Sequence, residues 1–106
     1  MNILVTGATG FLGSQLVAEL ECSLHHVFGV STKGTETTIG CDLNIRDSVK
    51  TLVDNCLPDY IIHCAAYVPR KLSDYQDDLL GKSNVLMTQN ILDASICPII
   101  YISSMT

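Results

Sequence analysis

Met1-Asn-Ile-Leu-Val-Thr-Gly-Ala-Thr-Gly-Phe-Leu-Gly13 opens the chain and decides how the rest is read. Asn2 to Thr6 is a short apolar run of the kind a buried parallel strand requires. Gly7, Gly10 and Gly13 follow, and Phe11, Leu12, Leu16, Val17 and Leu20 then recur at helical spacing across Phe11–Cys22. A strand that turns through glycines into a helix is suited to holding a phosphate. The helix N-terminus offers N–H groups without intrahelical partners and a partial positive charge. Gly7 permits the tight turn, Gly10 lets a pyrophosphate approach the backbone, and Gly13 lets the helix pack close to the strand. The spacing is G-x-x-G-x-x-G, not the commoner G-x-G-x-x-G. The alternative reading is a tight strand-to-helix turn with no ligand.

Strand and helix patterns alternate to the end of the chain. His26–Ser31 reads as strand two and Thr37–Cys41 as a short strand three, with Lys33 and Gly34 in the loop between. Asn44–Leu57 is the clearest helix, with Ile45, Val49, Leu52, Val53 and Cys56 forming one apolar stripe. Asn44 is a suitable N-cap, Asp47 stands where a capping box would place it, and Pro58 ends the helix. Tyr60–Cys64 is strand four, Tyr67–Asp78 a polar loop, Leu79–Ser95 a helix and Ile99–Ile102 strand five. That last helix should turn Leu79, Leu80, Leu86, Met87, Ile91 and Ala94 to the core. Such alternation predicts a doubly wound α/β fold of the Rossmann kind. It would be a parallel sheet of order 3-2-1-4-5 with helices on both faces, truncated after strand five. A ligand should lie over the carboxyl ends of strands one and four, where the order reverses.

At 106 residues the chain reads as a single domain, short for a complete dinucleotide-dependent enzyme. Its formal charge of -5, with lysines and arginines dispersed, argues against nucleic acid and anionic membrane surfaces as partners. No segment is long enough to span a bilayer, and the N-terminus lacks the basic flank of a signal peptide. Cys22, Cys41, Cys56, Cys64 and Cys97 are odd in number and lack a C-x-x-C; they read as reduced, buried thiols of a cytoplasmic protein. His25, His26 and His63 show no metal-ligand spacing with them, so no metal site is expected.

Each strand end carries a candidate. After strand three, the Asp42 carboxylate of Asp42-Leu43 could accept from an adenine amino group or cap backbone N–H groups. After strand four, Cys64-Ala65-Ala66 is small enough for a ligand to approach, or for a helix to pack closely. After strand five, Ser103 and Ser104 could donate to a substrate oxygen or start a turn. Strand two ends without the carboxylate that pairs the ribose hydroxyls of NAD: none appears before Glu36. Ser31, Thr32 and Lys33 suit a 2′-phosphate, which favours NADP over NAD, although Lys33 could equally be a solvated loop residue.

Together these segments resemble the extended short-chain dehydrogenase/reductase family of nucleotide-sugar epimerases, dehydratases and reductases. Thr6-Gly-Ala-Thr-Gly-Phe-Leu-Gly13 resembles its cofactor loop, Asp42-Leu43 its adenine contact, and His63-Cys-Ala-Ala66 the segment under the cofactor. Asn84-Val85 with Asn90-Ile-Leu-Asp-Ala94 resembles its fourth helix, and Tyr101-Ile-Ser-Ser104 the strand end that carries a catalytic Ser or Thr. The resemblance implies cofactor contacts from Gly7, Thr9, Gly10, Phe11, Leu12, Gly13, Ser31, Thr32, Lys33, Asp42, Leu43, Cys64, Ala65, Ala66, Asn84 and Ser103, with Ser104 catalytic. The short stretch between strand two and Asp42, with Asn44-Ile-Arg-Asp47 and Cys64-Ala-Ala-Tyr67, is similar to the dTDP-4-dehydrorhamnose reductase branch. The implied partners are NADP or NAD and, in the complete enzyme, a nucleotide sugar.

The family's general acid/base is the tyrosine of a Tyr-x-x-x-Lys helix after strand five, and this sequence ends at Thr106, ahead of it. Tyr67-Val-Pro-Arg-Lys71 fits the spacing, but Pro69 would break the helix and the segment precedes the serine strand. The expectation is therefore a cofactor-binding part, without substrate domain or catalytic base, that turns over little or nothing. A non-catalytic NAD(P)-binding sensor or interaction module is the alternative. The exposed edge strand Ile99 to Ile102 is expected to favour self-association into a homo-oligomer.

Overall fold

The computed structural model describes residues 1–64 and 78–102, with side chains described at 1–64 and 84–102. Ala65, Ala66, the Tyr67–Lys71 pattern, Ser103 and Ser104 lie outside the described residues, as do the side chains of Leu79 and Leu80. The elements are β1 (Asn2–Thr6), α1 (Phe11–Cys22), β2 (His26–Ser31), β3 (Ile39–Gly40), α2 (Arg46–Cys56), β4 (Tyr60–His63), α3 (Asp78–Ala94) and β5 (Ile99–Tyr101). They build one sheet of order β3-β2-β1-β4-β5. Every strand pair is parallel, with Val5 opposite Gly29 and Ile62, and Ile61 opposite Ile99. The predicted α/β architecture and strand order are thus observed.

Side chains alternate across the strands, so β1 feeds two cores. Leu4, Val30 and Ile61 face α2 and α3, packing with Val49, Leu52, Val53, Met87 and Ile91. Ile3, Val5 and Ile62 face the opposite way, onto Leu16, Val17 and Leu20 of α1. The continuous apolar runs of β1 and β4 follow from this burial on both faces.

Several local expectations change. Strand three shrinks from Thr37–Cys41 to Ile39–Gly40. The threonines before it bond one another: Thr38 Oγ1 lies 2.8 Å from Ser31 Oγ and 2.8 Å from Thr35 Oγ1, and Thr35 and Thr38 exchange backbone bonds. Hydroxyls that satisfy local backbone compete with a sheet ladder, and β3 is an edge strand with one neighbour to hold it. The helix expected from Asn44 starts at Arg46, with Ile45 as an N-cap that makes no side-chain cap bond. Asp42 is responsible: its Oδ1 accepts the Asn44 N–H at 3.0 Å and its carbonyl accepts the Ile45 N–H at 3.0 Å, closing a turn. Ile45 is consequently exposed, whereas Val49, Leu52, Val53 and Cys56 form the buried stripe as predicted. The helix ends ahead of Pro58 on Leu57, whose φ of 46° is left-handed.

Among the described side chains of α3, Met87, Asn90 and Ile91 are buried, with Ala94 packed alongside, while Leu86 turns to the flank and is exposed. Strands four and five end one residue earlier than predicted, at His63 and Tyr101, although the Ile102 N–H still reaches the His63 carbonyl. Cys22 is exposed rather than buried; Cys41 and Cys56 are buried, and Cys64 and Cys97 partly so, all five being free thiols. Among the described residues no helix is long and apolar enough to cross a membrane.

Candidate functional site

The glycine loop follows β1 directly. The Ala8 N–H reaches the Val30 carbonyl at 3.0 Å, carrying the β1–β2 pairing one step past the strand. Gly7 then turns with φ of 67°, a left-handed conformation that glycine adopts without penalty. The Gly10 N–H closes the turn onto the Gly7 carbonyl at 3.0 Å, and Gly10 is the N-cap of α1 without a side-chain cap. Gly13 is the buried residue of α1, and a Cβ there would fall inside the Gly7 carbonyl group. Helix and loop touch through bare backbone, so the first-turn N–H groups open at the carboxyl end of the sheet.

A cleft of about 220 Å³ opens beside this turn. Gly7, Thr9 and Gly10 form one wall, Ser31 and Thr32 another, and Asp42 and Leu43 a third, with Cys64 and Met87 also lining it. Ligand pockets for drug-sized molecules run from about 300 to 1,000 Å³, so this cleft suits one end of an elongated ligand. Four separate chain segments named from sequence therefore converge on one cavity. Lys33 instead lines a broader groove between β3 and α2, alongside Asp47 and Ser48. Asn84 lines a different cleft, with Thr88, Leu92 and Tyr101. Phe11 and Leu12 are exposed at the start of α1, outside the cleft lining, and Gly13 is buried beneath.

Val30, Cys41, Asn44 and Met87 line the cleft without being named from sequence as ligand contacts. Cys41 stands next to Asp42, and Met87 reads in sequence as an ordinary core position on its helix. Burial pushes the thiols of Cys41 and Cys64 above their ordinary pKa, with the Asp42 charge adding to the effect at Cys41. Both are protonated at neutral pH and act as apolar wall rather than as nucleophiles.

A polar row crosses the strand ends, one residue before the cleft-lining Gly7 and Cys64. Thr6, His63 and Tyr101 occupy paired positions on β1, β4 and β5. His63 Nδ1 is 2.7 Å from Thr6 Oγ1, which also accepts the Cys64 N–H at 3.1 Å. The His63 ring is 1% exposed, lies 5.5 Å from the Tyr101 ring, and among the described residues has no hydrogen-bond partner at Nε2. Desolvation lowers its pKa from 6.5 to about 4, so it is neutral at physiological pH. Thr6 ties the glycine loop's strand to the segment after β4, fixing the two ends that border the reversal of strand order.

Residues 3–106 match the sequence profile of the NAD dependent epimerase/dehydratase family. The chain belongs to this family. Methionine adenosyltransferase 2 subunit beta of Xenopus laevis is 34% identical over 90 residues, covering 83% of this chain and 27% of its own length. Among solved structures, Thermus thermophilus UDP-glucose 4-epimerase in complex with NAD aligns with a TM-score of 0.75 at 26% identity, over 89% of this chain and 33% of that one. dTDP-4-dehydrorhamnose reductase from Bacillus anthracis, in complex with NADP, aligns with a TM-score of 0.79 at 28% identity, over 96% and 36%. The chain thus spans about a third or less of these relatives and corresponds to their N-terminal Rossmann part. Members of this epimerase/dehydratase family bind NAD or NADP.

Proposed function

We propose that residues 1–106 are the NAD(P)-binding domain of a nucleotide-sugar epimerase, dehydratase or reductase. The observation that carries this reading is the contact of Gly13 with the Gly7 carbonyl, which leaves the α1 N-terminus bare beside a cleft. The donor set fits the group. Gly7, Gly10 and the first turn of α1 would hold the pyrophosphate, with Thr9, Phe11 and Leu12 in the same loop. Asp42 and Leu43 would hold the adenine, and Ser31, Thr32 and Lys33 would border the ribose. Cys64, Ala65 and Ala66 would pass beneath, with Asn84 and Ser103 toward the reacting end. When bound, the nicotinamide supplies a hydride acceptor or donor at C4 for a sugar carbon. Ser104 is proposed to polarise the reacting oxygen, and a tyrosine beyond this sequence to transfer the proton.

Between the two nucleotides we favour NADP, because β2 ends in Ser31-Thr32-Lys33 with no carboxylate. Ser31 is already engaged, since its Oγ accepts the Gly34 N–H at 3.0 Å and bonds Thr38, so Thr32 and Lys33 carry that preference. Asn44-Ile-Arg-Asp47 supports a 4-keto-sugar reductase as the finer assignment. Likeness to a methionine adenosyltransferase subunit supports a second reading, a non-catalytic dinucleotide-binding module that works through a partner protein.

Calorimetric titration with NADPH and NADH tests the binding site. Gly10→Val is the control: its Cβ would press on the Gly7 carbonyl oxygen at 3.3 Å and its side chain would fill the cradle, and circular dichroism checks that the variant is folded. We expect binding that the control abolishes, tighter for NADPH. A folded chain that binds neither nucleotide sinks the proposal. A coding sequence that continues past Thr106 into a Tyr-x-x-x-Lys helix would favour the enzyme over the module.

A further inference from the structure

Asn90 is a polar residue in an otherwise apolar stripe of α3. It is 3% exposed, and its Nδ2 donates to the Leu43 carbonyl at 2.8 Å, across 47 positions of sequence. Leu43 is the middle of the turn that Asp42 closes through the Asn44 and Ile45 N–H groups. Asp42 and Leu43 line the cleft, and so does Met87, one helical turn before Asn90. The same face of α3 therefore forms part of the cleft wall and grips the backbone of an adjoining wall. Met87, Ile91 and Leu43 share one apolar core, so the loop is already packed on the helix. What the amide adds is direction, because a hydrogen bond fixes the orientation of one carbonyl where apolar contact leaves it free. Oδ1 of Asp42 is committed to the Asn44 N–H, and a carboxylate has further acceptor capacity on Oδ2. The orientation of the turn decides where that capacity points.

We propose that Asn90 is a positioning residue for adenine recognition: by holding the Leu43 carbonyl it aims the Asp42 carboxylate at the 6-amino group of the adenine ring. This rests on the dinucleotide-site reading above. It differs from a merely structural staple in predicting a change of base selectivity, not only of affinity or stability.

The test compares binding of NADPH with that of its hypoxanthine analogue, which carries an oxo group where adenine has the amine. The chain should prefer the adenine form by roughly tenfold, the factor that one hydrogen bond to a charged acceptor supplies. Asn90→Leu, close in shape but without a donor, and Asn90→Ser, too short to reach, should bring the ratio near one. Both should leave affinity for the hypoxanthine analogue nearly unchanged. Asp42→Ala should likewise bring the ratio near one, and combining it with Asn90→Leu should lower the ratio no further. A wild-type ratio in either folded Asn90 variant, additive losses in the double variant, or a ratio near one in the unaltered chain would overturn the proposal. No binding of either nucleotide by the unaltered chain would overturn the cofactor reading itself, a separate result. If both Asn90 variants fail to fold, hydrogen exchange on the unaltered chain decides. NADPH must then raise protection at 42–45 and also in α3 around Asn90, and protection confined to 42–45 overturns the proposal.

Discussion

The two faces of the sheet hold their helices by different means. On the α2 and α3 side, Leu4, Val30 and Ile61 are almost completely buried against Val49, Val53, Met87 and Ile91. On the α1 side, Ile3, Val5 and Ile62 meet a helix whose Leu16, Val17 and Leu20 are half-buried and whose Phe11 and Leu12 are exposed. The anchor of α1 is instead the backbone contact of Gly13 on Gly7. Side-chain burial is heavier on one face, and the helix whose N-terminus borders the cleft is carried on the other, anchored by backbone.

Core truncation should break this asymmetry most visibly. Ile61→Ala, at a fully buried site, should cost about 4 kcal/mol. Leu16→Ala on α1 should cost less, about 1 kcal/mol, because the side chain is only partly buried. Urea midpoints at constant slope measure both, and equal losses would mean that the two faces share the load evenly.

Acid comes next. His63 has a folded pKa of about 4 against 6.5 unfolded, so the unfolded chain takes up its proton first as pH falls. Its neutral form is fully favourable above about pH 6.5, and the contribution declines through the range down to about pH 4. The loss across that window should approach about 3 kcal/mol. His63→Gln should flatten the slope of stability against pH between those limits; an unchanged slope would place the acid sensitivity elsewhere.

Gly13→Ala sharpens the contrast from the α1 side. The methyl cannot share space with the Gly7 carbonyl, so α1 must move away from β1. We expect a loss of about 2 kcal/mol in denaturant titration, with dinucleotide binding falling more steeply than stability. A variant that keeps full affinity would show that the close approach is dispensable. The smallest effect is a gain: Leu57→Gly relieves a left-handed residue at the end of α2 and should stabilise by about 0.5 kcal/mol. Thermal unfolding would register it as a modest rise in Tm.

Much of the cleft lining was legible because its residues stand immediately after strands. Gly7, Ser31 and Cys64 follow or end strands whose apolar runs are unmistakable, and the parallel order brings those ends to one edge. Asp42 left two readings open, adenine acceptor or backbone cap, and the structure shows its Oδ1 holding a backbone N–H while it lines the cleft. Asn90 was not legible as an anchor, since its partner is a backbone carbonyl far away in sequence. Thr6 and His63 were visible as residues but not as a pair, because pairing depends on register across two strands 57 positions apart.

Local chemistry alone determined the order of elements, the glycine turn and the parallel sheet, since periodicity and backbone freedom are properties of neighbouring residues. Tertiary structure decided which hydrophobic positions were covered, where β3 and α2 begin, and which polar groups lost their water. Those outcomes depend on what other segments bring into contact, and on desolvation, which no residue experiences until the sheet has closed over it.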